Sequence, residues 1–301
     1  MRAATAGRAY LPLLVLGAGW GGLQPLNKIA VEGGFQPLGI MAWQGAVTLI
    51  LAGGIVAMRG DALPRGRPQW AICAQVAVLG TLLPHLVTYT AVDHLPAGLM
   101  AILLATIPLM ALPLGLVVGT EVAAPRRVIG LALGLAAVVL IALQGDSVSG
   151  GAGWAVAVAL AAPFCYALNS TLIAARGMAG LAPIRAFFGA AILILPSATL
   201  LALASGQAAP LFAPGTGIAS LAVLTIAAAH TCLYAGFLWL IGRSGAVFAS
   251  QTAFLVTGFG VLWSALLLGE RYPLAVLLAG GLMLAGMALV RPAAPARTAR
   301  P

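Results

Sequence analysis

Apolar residues fill this chain in long runs that do not alternate, each closed by a short step of Gly, Pro, Arg or carboxylate residues. Runs of about 20 residues cross hydrocarbon as helices, whereas barrel strands would alternate. The pattern predicts ten spans, near 9–31, 36–58, 68–91, 95–119, 124–144, 151–174, 181–204, 216–241, 245–268 and 272–291. No connection is long enough for a separate domain. The last two spans flank Gly269-Glu270-Arg271-Tyr272-Pro273. A weaker version of the same device, Gly119-Thr120-Glu121, lies between spans 4 and 5. A helix–Glu–helix step therefore closes each half.

The halves also align. MAWQGAVTLIL (41–51) matches RAFFGAAILIL (185–195) at six of eleven positions, and GLALGLAAVV (130–139) matches GLMLAGMALV (281–290) at five of ten. Both alignments pair span n with span n+5. Five is odd, so the second copy is expected upside down relative to the first. Inverted repeats are a recurrent plan of secondary transporters, with the substrate site near mid-membrane between the copies. The expected organisation is an all-α integral membrane protein. Residues 1–146 form the first five-helix repeat, 147–291 the second, inverted repeat, and 292–301 a disordered cytoplasmic tail.

Composition agrees with lipid as the solvent. Of 301 residues 62% are hydrophobic and 7% charged, with a mean hydropathy of +1.08; soluble domains carry about 25% charged residues. The net charge of +9 would suggest nucleic acid in a soluble protein. Here the basic residues sit between apolar runs and set orientation. With the N-terminus inside, 13 of the 15 Lys and Arg fall on the cytoplasmic side, and only Lys28 and Arg271 fall outside. That bias predicts both termini inside. Arg2, Arg8 and the run after them resemble a signal peptide, but that run reads as the first retained helix. Cys73, Cys165 and Cys232 all lie in apolar runs without metal-ligand spacing.

The segment LLLGERYPLAVLLAGGLMLAGMAL (266–289) resembles the closing signature of the EamA family of the drug/metabolite transporter superfamily. GTEVAAPRRVIGLALGLAAVVLIAL (119–143) resembles its first-copy counterpart, with Thr120 inserted between Gly and Glu. The resemblance implies a ten-helix bundle, a central cavity and export of small metabolites such as amino acids. Within the family the chain looks most like bacterial aromatic and neutral amino-acid exporters.

Charged residues buried in a membrane are costly and usually functional. Glu32, Asp61, Asp93, Glu121, Asp146 and Glu270 all fall at predicted helix ends or in loops. A carboxylate proton relay is therefore not expected. No Lys or Arg stands at mid-span, which argues against multiply charged phosphate substrates. Glu121 and Glu270 each precede the last helix of a copy. They read as helix-start carboxylates favoured by the dipole, or else as gate carboxylates paired with Arg126 or Arg127 and with Arg271.

His85 and His230 occupy spans 3 and 8, which correspond in the repeat. Each has a tyrosine four residues on, Tyr89 and Tyr234, on the same helix face. Two readings are open: packed interior residues, or two His–Tyr pairs lining a substrate path and binding a carboxylate or a transported proton. Gln44, Asn169 and Gln251 are amides inside apolar runs and should face the bundle interior, as helix ties or as cavity-lining groups. Trp20, Trp43 and Trp263 read either as core or lipid-facing residues or as a stacking surface for an apolar or aromatic side chain; Tyr166, deeper in span 6, is a further candidate for binding substrate. Lys28 reads as an interfacial snorkelling residue. Gly21, Gly22 and Pro25 in span 1, Pro84 in span 3, Pro108 in span 4 and Pro163 in span 6 are expected to interrupt their helices and act as hinges.

These residues point to a secondary transporter that exports small neutral metabolites, most of all amino acids, by alternating access. Lipophilic cations are the alternative cargo. A membrane enzyme acting on lipid would need acid/base groups or metal ligands gathered at one interface, and no such motif is present. The expectation is a multi-pass protein of the bacterial inner membrane, acting as a monomer among lipids on a small-molecule substrate, with no cofactor, no metal and no nucleic acid.

Overall fold

The computed structural model describes residues 2–119, 125–143, 153–244 and 252–289. Every regular element among them is helical. In chain order these are α1 (Arg2–Glu32), α2 (Pro37–Met58), α3 (Gly66–Ala77), a π turn (Val78–Leu82), α4 (Leu83–Val92), α5 (Ala97–Leu104), α6 (Ile107–Val118), α7 (Pro125–Leu143), α8 (Gly153–Ala159), α9 (Ala161–Arg176), α10 (Pro183–Ala204), α11 (Gly217–Ser244), α12 (Thr252–Leu268) and α13 (Leu274–Leu289). Six helical stretches among the described residues are long and apolar enough to cross a membrane: Pro37–Met58, Gly66–Val92, Ala97–Val118, Gly153–Arg176, Pro183–Ala204 and Gly217–Phe237. Leu255–Leu268 and Leu274–Gly286 are apolar but shorter. Six of the ten expected spans thus meet this criterion. The expected tail, 292–301, lies outside the described residues, as do Glu121 and Gln251.

The principal packing partners join the first half of the chain to the second. α2 lies on α10 and α11, α1 on α12 and α11, α7 on α13, α5 on α12, α6 and α4 on α9, and α3 on α10. Neither half is a body of its own, because the apolar face of each is covered by the other. The pairing also maps onto itself when corresponding elements of the two halves are exchanged. α1–α12 becomes α6–α9, α1–α11 becomes α4–α9, and α3–α10 becomes α2–α11.

Proline explains where helices break. A proline donates no hydrogen bond to the carbonyl four residues back. For Pro84 that carbonyl is Gly80, inside the π turn; for Pro108 it is Leu104, the last residue of α5; for Pro163 it is Ala159, the last of α8. At Pro84 the rod stays helical through the π turn, whereas at Pro108 and Pro163 a short turn separates two helices. Helix α1 departs from expectation. It runs unbroken through Gly21, Gly22 and Pro25. Gly21 is a packing device: a Cβ there would stand 2.8 Å from the Gly260 backbone nitrogen. Small residues allow such close approach between membrane helices. Trp263 Nε1 donates to Ala18 O at 3.2 Å across the same junction. Clamped against α12, α1 keeps its course although Pro25 removes a hydrogen bond. The pair of interrupted helices expected at spans 1 and 6 is thus broken only at span 6.

Candidate functional site

The described carboxylates and cations stand at helix ends or in loops, and the middle of the bundle is neutral. There α2, α4, α9 and α11 bring together most of the polar groups singled out in the sequence. His85 Nδ1 lies 2.9 Å from Gln44 Oε1. The amide oxygen can only accept, so in the neutral ring His85 carries its proton on Nδ1. Trp20 Nε1 donates to His230 Nδ1 at 3.5 Å. The indole can only donate, so neutral His230 carries its proton on Nε2, an atom that is buried without a partner. The two imidazoles hold opposite tautomers and meet edge to face, their centroids 4.7 Å apart.

Each tyrosine stays beside its histidine, as the four-residue spacing predicts. His85 and Tyr89 have centroids 5.9 Å apart, and His230 and Tyr234 stack at 5.7 Å. Asn169 Nδ2 donates to the Tyr234 hydroxyl at 3.3 Å, while Asn169 Oδ1 accepts from Gln75 Nε2 at 3.1 Å. Tyr166 stands on α9 three residues before Asn169, half-buried, and its carbonyl accepts from Ser170 Oγ at 2.8 Å. One continuous polar cluster thus spans both halves of the chain.

Several members were not singled out in the sequence. Phe187 stacks on Tyr234 at 4.6 Å, and Phe237 meets Trp20 at 5.2 Å. Thr231 Oγ1 donates to Ala227 O and accepts from Thr48 Oγ1 at 2.9 Å, joining α11 to α2. The repeat held the signal for Phe187, because the 41–51 alignment sets it opposite Trp43. Trp43 itself is elsewhere: its indole donates to Ala209 O at 3.0 Å, in the α10–α11 connection.

A second polar knot sits at one end of α1. The Glu270 carboxylate accepts from the backbone N–H groups of Ala97 (3.0 Å) and Gly98 (3.3 Å). It therefore caps α5, not the α13 helix that follows it in sequence. Its ionic partner is Lys28, at 3.5 Å, rather than Arg271. Lys28 also reaches Glu32 (3.8 Å) and Leu95 O (3.5 Å), so this cation closes an ion-pair network. The Tyr272 hydroxyl donates to Glu270 Oε2. Burial, together with this carboxylate, pushes the Tyr272 phenol above its ordinary value. Gly98 is required here, since a Cβ would overlap Tyr272 Oη. The knot ties together α1, α5 and the α12–α13 connection.

Among the described residues no group of three His, Cys, Asp or Glu side chains could hold a metal ion. The cluster offers neutral donors, neutral acceptors and aromatic faces. Such a set can bind a small polar molecule and release it again, because no buried ion pair has to be broken.

Residues 7–143 match the family model described as the EamA-like transporter family. No curated protein matches the sequence. Sixteen chains of solved structures match. One of them, described only as the crystal structure of a protein, is 19% identical over 94% of this chain and 96% of its own, with a TM-score of 0.65. That likeness runs the length of both chains and shows a shared fold.

Proposed function

We propose that this chain is a secondary transporter of the EamA-like kind, exporting small neutral metabolites, foremost amino acids, across the bacterial inner membrane. The observation that carries the reading is the meeting of two His–Tyr pairs, one from each half, in a neutral polar cluster. A duplicated site between two halves is what an alternating-access mechanism needs, because each half can present the same groups to an opposite side. The family match to residues 7–143 supports the first repeat, 1–146. The self-mapping helix pairs support an inverted second repeat, 147–291. In this reading the π turn before Pro84 and the helix boundaries at Leu104 and Ala159 let one set of helices rock against the clamped α1–α12 pair. The Lys28–Glu270 knot closes the outer end, and the chain acts as a monomer.

One observation favours a second cargo. Trp20, Phe187 and Tyr234 set aromatic rings against His230, and Phe237 packs on Trp20, a surface that also suits a lipophilic cation. Reconstitution into liposomes with a panel of labelled amino acids, with and without a pH gradient, separates the two. Saturable movement of neutral amino acids is expected. Movement of tetraphenylphosphonium but of no amino acid would overturn the amino-acid assignment.

A further inference from the structure

Helix α1 carries two buried amides that neither the cluster nor the outer knot employs. Gln24 and Asn27 are 6% and 7% exposed, and the Oε1 of one and the Oδ1 of the other have no hydrogen-bond partner. They stand four and seven residues beyond Trp20, hence on the helix face that Trp20 turns toward His230. One turn beyond Gln24, Lys28 is held by Glu270, Glu32 and Leu95 O, and it does not fill these oxygens. The face therefore runs from the histidine cluster to the outer knot, with two unpaired acceptors between them. Buried polar atoms are nearly always paired, so two lone carbonyl oxygens on one face call for a donor.

We infer that Gln24 and Asn27 form a subsite for the ammonium group of a zwitterionic or amine cargo, between the histidine cluster and the outer knot. This deepens the transport reading and rests on it. An ammonium supplies three donors and no acceptor, the complement of two amide oxygens. Neutral oxygens, unlike carboxylates, stabilise the cation without a full opposite charge to break on release. A carboxylate in the same place would set acceptor against acceptor.

The test uses the full chain in detergent, titrated with 2-phenylethylammonium and, separately, 3-phenylpropionate, with tryptophan fluorescence as the readout. The ammonium probe is expected to bind more tightly. Gln24→Leu with Asn27→Leu is expected to weaken it about tenfold or more, and Gln24→Glu to retain or tighten it. The two amide oxygens have no hydrogen bond to lose, so melting temperatures should not fall on their account. Equal affinity for the two probes, or an ammonium affinity that the Leu pair leaves unchanged, would overturn the subsite. So would a destabilised Leu pair that still binds the ammonium, since the amides would then be structural. Amino-acid transport by the same preparations in liposomes keeps the two ideas apart. Binding without transport would remove the exporter reading and keep the subsite; transport with indifferent binding would remove the subsite alone.

Discussion

His85 and His230 fall five predicted spans apart and meet in the cluster, yet their helices are built differently. His85 follows a π turn and Pro84, in a rod whose regular α-helical bonding is interrupted over Val78–Leu82. His230 stands in α11, continuous from Gly217 to Ser244. His85 is fixed by a full-strength hydrogen bond to Gln44, whereas His230 has only a long contact with Trp20 and is held mainly by stacked rings. The same contrast recurs elsewhere. α5–α6 and α8–α9 are broken, while their counterparts α12 and α1 are continuous and clamped together. The bundle thus pairs a jointed set of helices with a stiff set, and the cluster lies where they meet. A ring gripped by its own jointed half moves with that half; a ring resting on aromatic faces can change neighbours without losing a strong bond.

The largest effect is expected from loosening the stiff set. Gly21→Leu would drive a side chain into the α12 backbone at Gly260. It should cost about 3 kcal/mol or prevent folding, read as loss of monodisperse protein after purification. Next comes the grip on His85. Gln44→Leu leaves the buried Nδ1–H without an acceptor and should cost about 1–3 kcal/mol in a thermal or denaturant series. His230→Phe should cost less than about 1 kcal/mol, because a flat ring keeps the stacking. Equal costs for the two would erase the contrast between gripped and resting rings. Pro84→Ala restores a donor opposite the Gly80 carbonyl. It should raise the melting temperature while slowing transport in liposomes; faster transport would contradict a hinge at this π turn. The smallest effect concerns the Lys28–Glu270 knot. The folded chain holds the Tyr272 proton more tightly than the ordinary phenol value of about 10. That contribution to stability is complete below about pH 10 and is lost as pH rises through the higher folded value. Tyr272→Phe should flatten this alkaline decline in melting temperature measured from pH 8 to 11.

Much of this was legible in the sequence, for identifiable reasons. Helix positions followed from the length of the apolar runs, and the His–Tyr pairs from their four-residue spacing. Gln44, Asn169 and Trp20 reached the cluster because an amide or indole in hydrocarbon must find a partner. What stayed hidden depends on packing across the chain. Pro25 and Pro84 look alike as letters, but only the contact of Gly21 with Gly260 shows why α1 stays whole. Glu270 looks like a cap for the next helix, yet it caps α5, more than 170 residues earlier in the chain. Trp43 and Phe187 align, and only the structure shows that Phe187 reaches the cluster while Trp43 serves a loop.

Under the proposed function, cargo passes the paired histidines. The most direct test is transport in liposomes by the native chain, His85→Ala, His230→Ala and the double variant, at matched protein incorporation and with pH gradients of both signs. Saturable amino-acid flux is expected in the native chain, reduced flux in each single variant and none in the double. Native flux with native pH dependence in the double variant would contradict this path for the cargo.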